Sequence, residues 1–206
     1  MAEIRESLKM TYNKIAAHFD ATRKKTWGDV EEFIKEQPVN AVMLDLGAGT
    51  GRHALYAKKE GLKPVAGDFS LGQLRELRKK DKTIPLVVLD TLNLPFKSHS
   101  FDSVIYIAAI HHLESEDERI KSLKEAGRVL KRECLMLVSA WALEQARFKD
   151  VASDKGDVHY MWDGKYPRFY HLFRERELEV ISKKAGFHVV SVWRVKDNIY
   201  VRLRRR

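Results

Sequence analysis

Asp45, Gly47, Gly49 and Gly51 fall at alternate positions in Leu44-Asp45-Leu46-Gly47-Ala48-Gly49-Thr50-Gly51. Glycines at that spacing let a backbone turn sharply and lie against a ligand with no Cβ in the way. The apolar run Ala41 to Leu46 before them predicts a strand. Arg52 to Lys59 after them predicts the start of a helix, whose N-terminal N–H groups face the ligand. Strand, glycine loop and helix in that order build a nucleotide site at the carboxyl end of an open α/β sheet. A dinucleotide fingerprint spaces its glycines G-x-G-x-x-G, whereas the third glycine here comes one residue early. Asp45 just ahead of the loop would repel a pyrophosphate. S-adenosylmethionine has no phosphate, and its ammonium and sulfonium tolerate nearby carboxylates, so the pattern points to that cofactor. The competing reading is a glycine turn with no ligand.

Two further carboxylates lie where such a site needs them. Asp68 closes a second strand roughly 20 residues after the loop, the spacing at which a carboxylate accepts both ribose hydroxyls. Asp90 ends a third strand, where the adenine ring lies, and could take its exocyclic amine. Either could instead be an ordinary polar strand end, but three strand ends carrying Asp45, Asp68 and Asp90 are more specific than any one of them. With their neighbours Ala48, Phe69, Ser70, Thr91, Leu92, Ile107, Ala108 and His112, they make up the candidate cofactor set. The fourth strand leads into His111-His112, close to where a methyl group must leave. Adjacent side chains on extended backbone diverge, and no Cys or His partner is suitably spaced, so a metal pair is disfavoured. Trp141 ends the fifth strand and could wall an acceptor pocket or simply pack in the core.

Composition narrows the class. The 206 residues are 44% hydrophobic, enough for one domain with a full core, and the formal charge is +9. That charge suggests an anionic partner, nucleic acid before a membrane surface, with ordinary solubility as the plain alternative. It is expected around the pocket mouth, through Lys24-Lys25 and the Arg202 to Arg206 tail. Cys134 is the one cysteine, so a disulfide framework and a Cys-rich zinc site are both excluded. No apolar run is long enough to span a bilayer, and the charged amino terminus has no signal-peptide core. The expectation is a cytoplasmic protein without a membrane partner.

The elements follow from periodicity. Residues 3 to 19 read as an amphipathic helix with Ile4, Leu8, Tyr12, Ile15 and Phe19 inward, and Val30 to Glu36 as a second. Strands are expected at Lys63 to Phe69, Pro85 to Asp90, Phe101 to Ile110 and Cys134 to Trp141. The helices between them run Leu71 to Lys80 and Glu116 to Lys131, the latter capped by Ser115. Residues 142 to 172 break the alternation, and their aromatics suggest an aperiodic, substrate-facing insertion. A helix from Arg174 to Ala185 and two strands, Phe187 to Val195 and Ile199 to Leu203 around an Asp197-Asn198 turn, close the chain. The whole reads as a single domain of residues 1–206 with N-terminal helices in 3–36. Its fold class is α/β: a doubly wound, Rossmann-like, seven-stranded and mostly parallel sheet with an antiparallel C-terminal hairpin.

Several segments are discriminating. Thr22-Arg23-Lys24-Lys25-Thr26-Trp27, Leu44 to Gly51, Leu94-Pro95-Phe96, Ile107 to Leu113, Trp141 to Gln145, Arg168 to Phe173 and Asn198 to Val201 resemble the tRNA wobble-uridine carboxymethyl methyltransferases. This group, within the class I methyltransferase superfamily, includes the methyltransferase domain of the animal AlkB-like tRNA enzyme. The resemblance runs nearly end to end. It implies methyl transfer from S-adenosylmethionine to the carboxylate of 5-carboxymethyluridine in the anticodon stem-loop of tRNA. It also implies a partner, a small zinc-binding activator protein pairing with the sheet edge. Three departures stand out: Arg132-Glu133-Cys134 where the superfamily has Pro-Gly-Gly, Ile199 where a tryptophan is expected, and a shorter insertion.

A carboxylate acceptor is already ionised at neutral pH, since carboxyl pKa values lie near ~4. It needs positioning rather than a general base. Arg23 is the candidate clamp, because a guanidinium can hold a carboxylate through two parallel bonds. A surface arginine contacting phosphate is the alternative. His111, Trp141 and Arg168 would complete the pocket, and Tyr170 could stack on a base. Two other function classes remain: a small-molecule or quinone-type methyltransferase on the same fold, and a binding subunit without catalysis.

Overall fold

A computed structural model describes residues 2–145, 148, 155–174 and 176–206. Part of the expected insertion (146, 147 and 149–154) and Glu175 of the expected last helix lie outside the described residues. The sheet order is β3-β2-β1-β4-β5-β9-β8. Its strands are β1 (Val42–Leu46), β2 (Lys63–Asp68), β3 (Leu86–Val88), β4 (Phe101–Ile107), β5 (Leu130–Trp141), β8 (Phe187–Val195) and β9 (Asn198–Arg205). The first five are parallel, and β9 pairs antiparallel with both β5 and β8. The strand order reverses at β1, flanked by β2 and β4, so the crevice at its carboxyl end is where such a sheet binds ligands.

Both faces of the central strands are covered, as their period-2 pattern requires. Leu44, Leu46, Val104 and Tyr106 pack toward α5 (Glu116–Val129) and α6 (Glu177–Lys184). Met43, Ile105 and Ile107 face the other way, onto Val30, Phe33 and Ile34 of α2 (Gly28–Lys35) and Ala57 of α3 (Arg52–Lys59). Truncating one of these buried leucines to alanine costs roughly 2–5 kcal/mol. The remaining helices are α1 (Ala2–Thr22), which ends immediately before Arg23, and α4 (Leu71–Lys80).

Four expectations about local structure are corrected. The fourth strand stops at Ile107 rather than Ile110, because Ala108 takes φ 52° and Ile110–His112 coil into a 3-10 turn. The fifth strand begins at Leu130, directly after α5, and the missing Pro-Gly-Gly turn becomes a bulge. Leu130 pairs with Phe101 and Leu135 with Ser103, so residues 131–134 loop out, with Glu133 at φ 60°. The aperiodic insertion contains a hairpin, β6 (Asp157–Trp162) and β7 (Tyr166–His171). Its turn is Asp163-Gly164, with φ 52° and 64°, an Asp-Gly signature that aromatic crowding masked in the sequence. Finally, Val195 pairs with Asn198, so the last turn is Lys196-Asp197, with Lys196 at φ 52°.

The basic tail is also displaced from where it was expected. Asn198 pairs with Trp141 at the crevice end of β5, whereas Arg204 pairs with Leu135. Six residues of strand put Arg204 to Arg206 roughly 20 Å away, at the opposite end of the sheet. Arg202 is paired with Glu36 instead of facing the crevice.

Candidate functional site

A cavity of about 540 Å³ opens at the carboxyl ends of β1, β2, β3 and β4, roofed by α1. Gly47, Ala48, Gly49, Asp68, Phe69, Asp90, Thr91, Ile107, Ala108, His112 and Arg23 line it as expected. The three glycines divide the work. A Cβ added at Gly49 (φ 55°) would overlap nothing, sitting at ordinary contact distance from Phe19 (3.6 Å) and Gln73 (3.7 Å), two residues of the cavity wall. Gly47 and Gly51 serve packing instead. A Cβ would come within 2.6 Å of Ala109 at the first and would overlap the Leu77 side chain at the second.

The acidic residues are buried, and burial raises their pKa values. Asp68 is pushed up to about 6 despite accepting hydrogen bonds from Ser70 N–H (2.8 Å) and Gly49 N–H (2.8 Å). Its carboxylate thus braces the loop while facing the cavity. Asp45 rises to about 7 for the same reason. It lies beneath the loop rather than in the cavity wall, accepting from Ala54 N–H at 3.1 Å. Gly51, the N-cap of α3, has no side chain to do this, so Asp45 caps the helix that was expected to aim its N–H groups at the ligand. Asp90 is shared between Arg5 Nη1 (3.1 Å) and Leu92 N–H (2.9 Å). Ser70 caps α4, accepting from Gln73 N–H, and Leu92 belongs to the core. Neither lines the cavity.

Past His112 the wall becomes an aromatic chamber. The 3-10 turn brings the two imidazoles to 4.7 Å instead of letting them diverge. Phe169 C=O can only accept, so His112 Nδ1 (2.8 Å) carries the proton and Nε2 accepts from Tyr12 O–H at 2.8 Å. Trp141 N–H donates to His111 Nδ1 (3.2 Å), which places the His111 proton on Nε2. Burial, reinforced by the neighbouring histidine and Arg168, holds His111 well below its usual pKa. Burial and Arg168 bring His112 down to about 3. Both rings are neutral.

Behind them Trp141 stacks on Tyr170 at 4.4 Å, nearly parallel. Arg168 is 4% exposed, with its guanidinium over Trp162 (4.7 Å) and Tyr170 (5.1 Å) and Nη1 at 3.5 Å from Tyr12 Oη. Among the described residues no carboxylate lies within 4 Å of it. His111, Trp141, Arg168 and Tyr170 therefore back the cavity wall from behind. Arg23 stands at the mouth, its guanidinium 5.5 Å from the rings of both Phe19 and Trp162.

Sequence reasoning missed Tyr12, Phe19, Gln73 and Arg52, all of which line the cavity. Tyr12 and Phe19 read as the inward stripe of α1, and only the hydroxyl at Tyr12 hinted that this stripe meets a site. Gln73 donates to Tyr12 C=O (3.2 Å), tying α1 down over the cavity. Among the described residues no helix is long and apolar enough to cross a membrane.

Comparison with known proteins agrees with this geometry. Residues 44–138 match the family described as "Methyltransferase domain". Among solved structures, a Burkholderia thailandensis 1,6-didemethyltoxoflavin-N1-methyltransferase with bound S-adenosylhomocysteine superposes with TM-score 0.75 at 19% identity, covering 99% of this chain and 89% of that one. An S-adenosylmethionine-dependent methyltransferase from Methanosarcina mazei reaches 0.78 at 16% identity, over 88% and 98%. A chain of the Haloferax volcanii complex containing the Trm112 methyltransferase activator reaches 0.72 at 16%, over 94% and 97%. These share the fold. In sequence, the tRNA (carboxymethyluridine(34)-5-O)-methyltransferase of Saccharomyces cerevisiae is 33% identical over 68% of this chain, which spans half of that protein's length. The Schizosaccharomyces pombe protein of the same name is 31% identical, with 95% of each chain aligned. On that near-complete match, the chain belongs to the tRNA (carboxymethyluridine(34)-5-O)-methyltransferase family.

Proposed function

We propose that this protein methylates the carboxylate of 5-carboxymethyluridine at the wobble position of tRNA, using S-adenosylmethionine. The residues fit that cofactor. Gly49 offers bare backbone and Asp68 a carboxylate for the ribose hydroxyls, while Phe69, Leu89 and Thr91 line the adenine end. When bound, S-adenosylmethionine supplies an electrophilic methyl group on a sulfonium.

The observation that carries the acceptor assignment is that neither histidine lone pair is available. Nδ1 of His111 is engaged by Trp141 N–H and Nε2 of His112 by Tyr12 O–H. A hydroxyl acceptor, as in a quinol, needs a base to take its proton. A carboxylate needs none. What it needs is orientation, and the chamber has cations for that: Arg23 at the mouth and Arg168 behind Tyr12. Holding the reacting oxygen in line and excluding water can supply on the order of 7–11 kcal/mol. In this reading Arg23 clamps the carboxylate, Arg168 acts through Tyr12, and Trp141 with Tyr170 backs the uracil.

A small activator protein of the kind named in the Haloferax volcanii structure is the partner we propose. It would pair with the exposed β3 edge, where Val88 is half exposed. The site assignment is tested by Arg23→Lys, which keeps the charge and removes the planar fork. It should cut turnover on carboxymethyluridine RNA at least tenfold, about 1.4 kcal/mol, with cofactor binding unchanged. Normal turnover would remove Arg23 from the acceptor site.

A further inference from the structure

We propose that the exposed end of the β6–β7 hairpin and the Arg23–Lys25 segment form one surface that receives the unpaired bases beside the target uridine. This rests on the tRNA reading above and extends it to how the loop is held. The two strands of the hairpin differ in character. Strand β7 carries Arg168 and Tyr170 against the back of the cavity wall, both buried. Strand β6 leaves Tyr160 37% and Met161 44% exposed as it runs into the Asp163-Gly164 turn. Tyr160 meets Phe148 edge-on at 5.4 Å and leaves the rest of its side chain to solvent.

Continuity with the mouth comes through Trp162. Its ring lies 5.5 Å from Arg23 and 4.7 Å from Arg168, so one indole joins the exposed end to both chamber cations. Charge agrees with an anionic visitor. Lys24, Lys25 and Lys165 are exposed, and among the described residues none has a carboxylate within 4 Å. Exposed lysines without an ion-pair partner also occur elsewhere, Lys63, Lys97, Lys121 and Lys124 among them, so what sets this group apart is its place beside the cavity mouth and the aromatic hairpin. Unmatched lysines interleaved with exposed Tyr160 and Met161 suit single-stranded nucleic acid, which offers a phosphate and a flat base at each step. A duplex would present phosphates without free base faces. This surface replaces the Arg204–Arg206 tail, at the wrong end of the sheet, as the destination of the basic charge.

The test uses an anticodon stem-loop RNA with 2-aminopurine next to the wobble position, titrated with the full chain and followed by fluorescence. Wild-type binding should quench the probe. Tyr160→Ala should weaken binding about tenfold and reduce the quench, as for one lost base stack. Because Tyr160 lies across from Arg168, Lys165→Ala gives an independent arm. It should weaken binding and lower the slope of log affinity against log salt by about one, leaving methylation of the free 5-carboxymethyluridine nucleoside unchanged. If wild type binds while both variants bind and quench identically, the hairpin end does not touch RNA. If both variants keep RNA but lose the activator protein, the surface is a protein interface and the proposal fails. Absence of wild-type binding even with the activator present would instead overturn the tRNA reading itself, and this inference with it.

Discussion

Arg168 is the residue whose energetics and function should pull in opposite directions. Its guanidinium is 4% exposed and, among the described residues, has no carboxylate within 4 Å. One long contact to Tyr12 Oη (3.5 Å) and the faces of Trp162, Tyr170 and Tyr12 are what it has. Ring faces of this kind return about 0.5–2 kcal/mol, whereas removing a charge from water costs several kcal/mol even after relaxation. The free protein therefore carries a deficit that an incoming carboxylate would offset. Arg168→Met, similar in length and uncharged, should stabilise the cofactor-free chain by about 1–3 kcal/mol. For a chain of this size that raises Tm by roughly 3–10 °C. The same variant should lose at least tenfold in RNA methylation at saturating cofactor. Thermal unfolding and single-turnover methylation, run on one preparation, read both effects. A variant that melts lower and still methylates normally would make Arg168 a structural residue with no part in holding the acceptor.

Further outcomes are expected elsewhere in the site. Gly51→Ala combines a φ of 79° with a Cβ that overlaps Leu77 and should cost about 2–5 kcal/mol in denaturant unfolding. Gly49→Ala, whose Cβ would only touch Phe19 and Gln73 at ordinary contact distance, should cost about 1 kcal/mol yet weaken cofactor binding at least tenfold by calorimetry. Asp68 in the free protein is raised to about 6 by burial, and ribose hydroxyls bind its ionised form. Cofactor affinity should therefore rise as pH increases through about 6 and level off above it, with proton release on binding below that point; a flat profile between pH 5 and 7 contradicts the ribose assignment. His171 joins Asp157 of β6 (2.7 Å) to Glu177 of α6 (2.5 Å), and burial's upward push on Glu177 is outweighed by the His171 bond, which keeps that carboxyl low. His171→Ala leaves the two carboxylates facing each other without their bridge. It should lower Tm by roughly 5–15 °C and reduce kcat more than cofactor affinity, because Arg168 and Tyr170 hang from the same strand.

The parallel core and the cofactor loop were legible in the sequence because their signals are local. Leu44 to Gly51 specifies strand, turn and helix within eight residues, and Asp68 and Asp90 follow at strand ends whose periodicity is plain. The acceptor side was legible only as a set of residue types. His111 and His112 look like the end of a strand until Ala108 turns at φ 52° and coils them together. Tyr12 was invisible as a site residue because a helical stripe reads as core whether it meets a strand or a cavity. The position of the basic tail could not be read locally either. Which end of the sheet Arg204 occupies depends on β9 running antiparallel to β5, a long-range pairing. Asp45 shows the subtlest shift: its proximity to the loop was correct, but a helix whose N-cap is glycine needs a carboxylate more than the ligand does.

The site orients a pre-ionised acceptor, and neither His111 nor His112 has a lone pair left to activate a neutral one. The most direct test is mass spectrometry of nucleosides from an anticodon stem-loop RNA carrying 5-carboxymethyluridine, incubated with the full chain, S-adenosylmethionine and the activator protein. A parallel sample carries 5-hydroxymethyluridine at the same position. The carboxymethyl RNA should gain one methyl group, removable by mild alkali as an ester is, and the hydroxymethyl RNA none. Methylation of the hydroxyl, or of free quinols in preference to the carboxylate, would mean that the site activates neutral acceptors instead.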